Sequence, residues 1–169
     1  MLGEILKKED CASCRFCCSF RRCSLWETPV FTGENIEAIR SNNKLDSAVL
    51  NIFSSKDNQY ATYDLSDKYK TNDSEEEVPC PFLGENGCKL NAEEKPWDCK
   101  IWPLRVMKKA DGKLVIALTP TCPSVNKLDI ENIKSFVQNK LADDLFEYAV
   151  NHPLLIKEYK EGFEILVSK

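Results

Sequence analysis

The sequence predicts a small α+β fold, an irregular, cysteine-rich domain with packed helices, and three observations lead to this prediction. Apolar residues recur at helical spacing along the C-terminal part of the chain. The run Leu114–Leu118 is apolar and partly β-branched, which is typical of a strand. Cysteines are concentrated in two separate segments. We expect the cysteines to gather at one end of the domain and the helices to pack behind them.

Length and composition fit one globular domain. The chain has 169 residues, of which 43% are hydrophobic and 30% charged. These proportions are typical of a chain that folds around a core and not of a disordered one. We therefore predict a single domain over residues 1–169, with cysteine segments at 11–23 and 80–122 and a helical C-terminal part at 129–169.

The charge balance argues against two classes of partner. The 23 basic and 27 acidic residues give a net charge of −4, and no long basic stripe is present, so we predict no nucleic-acid binding. The first ten residues have no apolar run of signal-peptide length, and no later stretch is long enough to span a membrane. These features predict a cytoplasmic location and no membrane association, and they leave any protein partner unknown.

The N-terminal half predicts two helices and a strand. Thr32 is suited to cap a helix in which Ile36 and Ile39 form an apolar side. A second, weaker helical pattern covers residues 45–53, and residues 60–65 have the character of a short strand.

Turns and a final helix follow. The acidic run at 73–77 is typical of a solvated loop, and Gly84 to Gly87 predicts a tight turn. Asp129 is suited to cap a helix that ends before Pro153, because proline cannot continue it. The apolar face of that helix, which we expect to pack in the core, consists of Ile130, Ile133, Val137, Leu141 and Leu145.

The number of cysteines predicts a metal site. Nine cysteines cannot all pair within one chain, and the cytoplasm keeps disulfides reduced. Clustered cysteines in a reducing compartment indicate metal ligands before anything else.

The spacing of the first cysteines indicates the kind of metal. Cys11, Cys14 and Cys17 are each separated by two residues. A single pair with this spacing also suits a redox motif or half a zinc site, whereas three thiolates in a row suit three corners of an iron–sulfur cubane, as in bacterial ferredoxins. The fourth ligand of such clusters is often followed by proline, and both Cys80 and Cys122 have that form.

A remote fourth ligand is energetically reasonable. Closing the loop from Cys17 to Cys80 costs roughly 4 kcal/mol, whereas a structural zinc ion contributes about 10–16 kcal/mol in small peptides. Cys18, directly beside Cys17, either serves a second site or is simply buried. Cys23 has no regularly spaced partner, which favours an ordinary core cysteine. The nearby Arg15, Arg21 and Arg22 would lower thiolate pKa values.

These motifs together resemble the zinc- or iron-chelating cysteine-cluster family, which is named for its CxxCxxCC motif. The resemblance spans residues 11 to about 122. The sequence departs from the family pattern at two places. Lys95 and Lys100 stand where the family has arginine, and lysine lacks the planar fork that makes bidentate contacts. Arg15 stands where the family has a small residue. The metal ligands that the resemblance implies are Cys11, Cys14, Cys17, Cys18, Cys80, Cys88, Cys99 and, less directly, Cys122. Of these, we expect the cofactor to be held by Cys11, Cys14, Cys17 and Cys99.

Three functional hypotheses follow. The first is a metal-binding protein that holds an iron–sulfur cluster, with [4Fe–4S] favoured, and it is compatible with electron transfer, cluster sensing and metal storage. The second is a zinc-binding structural or interaction module. The third is a methyltransferase-like enzyme, because flagellin lysine N-methylases share a similar cysteine motif. The sequence has no glycine-rich nucleotide loop, and we interpret its single histidine, His152, as a helix-end residue.

Overall fold

The computed structural model describes residues 6–22, 27–44, 50–56 and 58–169. It contains both helices and sheets, which confirms the α+β prediction. Two compact units can be distinguished. One, here called the thiol unit, is residues 15–100, and the other, here called the sheet unit, is residues 1–14 together with 101–169. Among the described residues, no helix has the length and apolar character needed to cross a bilayer.

The first described element belongs to the sheet unit. Helix α1, Lys8–Cys14, carries Cys11 and Cys14 three residues apart, a separation that puts both on the same helical face. The helix ends before Arg15, whose φ of 55° lies in the left-handed region. This residue redirects the chain into the thiol unit.

Short strands form the frame of the thiol unit. In chain order, these strands are β1 (Ser19–Arg21), β2 (Phe31–Thr32), β3 (Leu50–Ser55), β4 (Asn58–Tyr63), β5 (Glu77–Pro79), β6 (Leu83–Gly84) and β7 (Gly87–Cys88). β1 pairs antiparallel with β5, β6 with β7, and β2, β4 and β3 form an antiparallel sheet in that order. The turn between β6 and β7 confirms the one predicted at Gly84 to Gly87, where Gly87 has a φ of 96°.

One helix prediction in this unit is wrong and one strand prediction is confirmed. From residue 50 onwards, the segment predicted to be helical is strand β3, while residues 45–49 lie outside the described part of the chain. The full ladder with β4, from Leu50 opposite Tyr63 to Ser55 opposite Asn58, supplies hydrogen-bond partners for the backbone N–H and C=O groups of this segment. A tertiary pairing thus overrides a weak helical pattern. Strand β4 itself overlaps the predicted strand at 60–65.

Helix α2, Gly33–Ser41, begins at the predicted cap. Thr32 and Asn35 form a reciprocal capping box, in which the Asn35 side chain accepts the Thr32 backbone N–H at 3.1 Å. Ile36 and Ile39 are fully buried, as their spacing predicts. The same Asn35 donates to the carbonyls of Glu93 and Lys95, which lie just before helix α3, Trp97–Ile101.

An aromatic and aliphatic core fills the thiol unit. Its buried members are Phe20, Phe31, Ile36, Ile39, Leu50, Ala61, Tyr63, Leu65, Val78, Phe82 and Leu90. Cys80 and Cys88 are partly buried and pack against it. The core therefore has thiols at its margin, and this is where the candidate site lies.

The sheet unit is more regular. Its strands are β8 (Leu104–Lys108), β9 (Leu114–Leu118), β10 (Lys157–Glu158) and β11 (Glu164–Ser168), in the order β10-β8-β9-β11. β10 is parallel to β8, and the other neighbours are antiparallel. β9 has the predicted bounds. The C-terminal part is consequently not all helical, because the chain after residue 156 returns to the sheet.

The predicted C-terminal helix is two helices. α4, Ile130–Lys140, begins at Asp129, whose side chain accepts the Glu131 backbone N–H at 3.1 Å, as predicted. Leu141, with φ −127°, interrupts the helical path before α5, Ala142–Asn151. Most of the predicted apolar face is nevertheless buried, so its interpretation as core packing is confirmed.

Candidate functional site

Backbone pairing places Cys18 beside Cys80. Cys17 and Cys18 end a short 3-10 turn that leads directly into β1. The Cys80 backbone N–H donates to the Cys18 carbonyl at 2.7 Å, which extends the β1–β5 pairing by one step. Cys18 of the early cysteine segment and Cys80 of the late one are therefore adjacent.

A tight turn and a hairpin bring Cys88 to the same place. The Leu83 backbone N–H donates to the Cys80 carbonyl at 2.9 Å, and the chain then enters the β6–β7 hairpin. Cys88 is opposite Leu83 in that hairpin. Both Cys80 and Cys88 are partly buried against the aromatic core.

Helix α3 contributes Cys99 in its first turn. The Cys99 backbone N–H donates to the Pro96 carbonyl at 3.0 Å, and the buried Asp98 accepts the Val30 backbone N–H at 3.3 Å. Cys99 keeps solvent contact over part of its surface, although surrounding protein atoms desolvate its thiol and raise its pKa.

The thiols influence one another electrostatically. After burial and Asp98, the groups that raise the pKa of Cys99 are the thiols of Cys80, Cys18 and Cys88. Burial is the main cause that raises the pKa of Cys80 to about 11, and Cys18 and Cys88 add to it. Four thiols from distant parts of the sequence are thus mutual neighbours within one unit. We call these four residues, Cys18, Cys80, Cys88 and Cys99, the thiol group.

Cys18 differs from the other members of the thiol group. A hydrogen bond with the Cys17 side chain is the main cause that lowers the pKa of Cys18 to about 7, against the opposing effect of burial. The positive charges of Lys95 and Arg15 lower it further. Cys17 therefore influences the thiol group through its hydrogen bond to Cys18.

A buried tyrosine also contacts the thiol group. The Tyr63 hydroxyl is 3.1 Å from the Cys80 sulfur, and the residue is 7% exposed. The Phe82 backbone N–H also bonds to the Cys80 thiol. Sequence reasoning missed Tyr63, because a tyrosine near the end of a strand is indistinguishable from an ordinary core residue until β4 is placed beside the thiols.

Two of the three predicted arginines act elsewhere. Arg21 pairs with Glu27 and Glu75, and those carboxylates raise its pKa further. Arg22 is 3.5 Å from Glu76 and stacks over the Tyr69 ring. Of the three arginines, Arg15 is the one whose charge lowers the pKa of Cys18, and the charge of Lys95 lowers the same pKa.

Three further candidate ligands belong to the sheet unit. Cys11 and Cys14 are exposed on α1, and Cys122 is 6% exposed, all three in the sheet unit. Cys23 lies outside the described residues. The predicted triple of Cys11, Cys14 and Cys17 is thus divided between a helix and the turn that follows Arg15.

The donor set suits two kinds of metal centre. Four cysteine thiolates are the ligands of closed tetrahedral zinc sites and also of [4Fe–4S] clusters. As the side chains stand, no three Cys, His, Asp or Glu residues in the described ranges are arranged to hold a metal ion. The thiol group therefore matches such a centre in chemistry and neighbourhood, without ligating geometry.

Comparison with known proteins yields one distant relative of unassigned activity. The chain is 24% identical over 163 residues to the uncharacterized protein MJ0939 of Methanocaldococcus jannaschii. The match covers 92% of this chain and 52% of that protein, so the chain spans about half the length of this relative. No family model and no solved structure matches the chain.

Proposed function

We propose that the protein binds a metal centre through the thiol group, and that the centre is an iron–sulfur cluster, with [4Fe–4S] as the first candidate. The observation that supports this most is the backbone contact that sets Cys80 beside Cys18, with 2.7 Å between the Cys80 nitrogen and the Cys18 carbonyl oxygen. The thiols of Cys18 and Cys88 are also near enough to raise the pKa of Cys80. Clustered thiols that repel one another as thiolates are compensated when a cation or cluster binds between them.

The surroundings of the thiol group support the same proposal. Lys95 and Arg15 supply positive charge beside Cys18, which offsets part of the charge of a thiolate-bound centre. The Tyr63 hydroxyl lies 3.1 Å from the Cys80 sulfur and the Phe82 backbone N–H bonds to it, and hydrogen bonds and a hydrophobic shell tune such centres. The proposal requires the cysteine side chains to move between staggered positions, because no three of them in the described ranges are arranged to hold a metal ion.

The iron–sulfur identity has support from the sequence. The repeated two-residue spacing of Cys11, Cys14 and Cys17 is that of ferredoxin clusters. Cys11, Cys14 and Cys122 thus stay candidates for metal ligands. Zinc is the second candidate, because a group of four thiolates satisfies a closed tetrahedral site without any further ligand.

Purification without oxygen tests the proposal. We expect a brown protein that absorbs near ~400 nm, as thiolate-bound clusters do, and that contains iron with acid-labile sulfide. A colourless protein with stoichiometric zinc would replace the cluster by the second candidate. A protein that takes up neither iron nor zinc, even after reconstitution under reducing conditions, would refute metal binding altogether.

A further inference from the structure

Tyr63 is held rigidly against the thiol group. Its ring contacts three phenylalanine rings, with centroid distances of 5.4 Å to Phe20, 5.2 Å to Phe31 and 6.1 Å to Phe82. The backbone of β4 is fixed by strands on both sides, with Tyr63 opposite Leu50 in β3. The hydroxyl therefore has a defined position, 3.1 Å from the Cys80 sulfur.

The chemistry of the contact decides which group donates. In the free protein, either the hydroxyl or the thiol is able to donate. A metal-bound cysteine is a thiolate and has no proton, so the Tyr63 hydroxyl is then the donor. A tyrosine hydroxyl keeps its proton near neutral pH, since its ordinary pKa is about 10, so it is available to donate across the 3.1 Å contact.

We propose that Tyr63 is a positioning residue that donates a hydrogen bond to the Cys80 sulfur of the metal centre, and so orients that ligand and offsets part of its negative charge. The inference rests on the proposed function. Outer hydrogen-bond partners orient metal ligands and set their electron density, and their loss typically weakens metal affinity about 10–100-fold.

Tyr69 offers a matched control. It lies in the same unit, packs against the same core, and donates its hydroxyl to the Phe20 carbonyl at 3.1 Å and not to a sulfur. Tyr63→Phe and Tyr69→Phe each remove one hydroxyl and keep the ring. Any general effect of losing a buried hydroxyl should therefore be seen in both variants, whereas an effect on the metal centre should be seen only in Tyr63→Phe.

The probe is cobalt(II), whose thiolate charge-transfer absorption reports on the sulfur, followed by competition with zinc. We expect Tyr63→Phe to bind about 10–100-fold more weakly than wild type and to shift the charge-transfer band to lower energy, because a sulfur without its donor is more electron-rich. Tyr69→Phe should match wild type in metal affinity and in the position of the charge-transfer band. If Tyr63→Phe does not fold, Tyr63→4-fluorophenylalanine keeps the size of the ring substituent without a donor.

The outcomes separate the two proposals. Metal binding by wild type with an unchanged band and affinity in Tyr63→Phe would overturn the role of Tyr63 and leave the metal site standing. Equal weakening in both tyrosine variants would assign the effect to packing and would also overturn it. A wild-type protein that binds neither cobalt, zinc nor iron would overturn the metal site and this inference together.

Discussion

The two units of the chain build their cores in different ways. In the sheet unit, four strands and two amphipathic helices bury an aliphatic core that includes the fully buried Ile116, Ile133 and Leu145. In the thiol unit, most strands are two or three residues long, and a cluster of aromatic rings has half-buried thiols at its margin. The comparison shows an aliphatic core in the sheet unit and an aromatic core with thiols at its margin in the thiol unit, so the proposed metal centre should affect the stability of the two units differently.

Metal removal should have the largest effect on the stability of the thiol unit relative to that of the sheet unit. Because metal binding energy is also folding energy in cysteine sites, chelation or Cys99→Ser should destabilise the thiol unit and leave the sheet unit protected. A loss of a few kcal/mol lowers Tm by about 10 °C in a chain of this size, at ~2–4 °C per kcal/mol. Hydrogen exchange measured by mass spectrometry, with and without metal, follows the two units separately.

Cys23→Ser is the control for Cys99→Ser. Cys23 lies outside the repeated spacing, so its replacement should change neither metal content nor Tm. Cys14→Ser decides whether the cysteines of α1 take part, because it lowers metal occupancy only if they are ligands. Loss of metal in Cys23→Ser with retention in Cys99→Ser would show that the ligand assignment is wrong.

A core truncation in the sheet unit should give the converse result. Leu145 is 1% exposed in α5, and Leu145→Ala should cost about 2–5 kcal/mol through lost burial and a residual cavity. Metal content should stay at the wild-type level, since Leu145 belongs to the other unit. Denaturant unfolding with metal analysis on the same sample checks both. Val150→Ala, at an exposed position of the same helix, should be close to neutral.

The smallest effect concerns pH and the segment before β5. The Glu76 carboxylate accepts backbone N–H groups of Lys70 at 2.6 Å and Thr71 at 2.8 Å, which lowers its pKa from 4.5 to about 2. A depressed carboxyl pKa stabilises the fold above the ordinary value, and the stabilisation is lost as pH falls from 4.5 through 2. We expect Glu76→Gln to be less stable than wild type near neutral pH.

Melting curves at several pH values measure this difference. The gap in Tm between wild type and Glu76→Gln should narrow as pH falls from 4.5 toward 2 and should be constant above pH 6. Glu77→Gln is the neighbouring control. A gap that is independent of pH would mean that the Glu76 contacts do not depend on its charge.

Sequence patterns predicted an element correctly where its conformation depends on contacts between residues close in sequence. The caps at Thr32 and Asp129, the turn before Gly87 and the strand Leu114–Leu118 all depend on residues close in sequence, and the structure confirms them. The helix predicted at 45–53 failed because the β4 ladder, a nonlocal partner, decides the conformation from residue 50. The interruption of the helix at Leu141 could not be predicted either, because the apolar stripe in the sequence continues across it.

For the candidate site, the sequence by itself determined which groups are available: nine cysteine thiols, most of them in segments that indicate metal ligation. Only the tertiary structure decided which of them are neighbours. It groups Cys18 with Cys80, Cys88 and Cys99, and it adds Tyr63, which no motif marks. The physical reason is that spacing along the chain constrains only ligands a few residues apart, whereas strand pairing and the burial of aromatic rings bring together groups from distant positions.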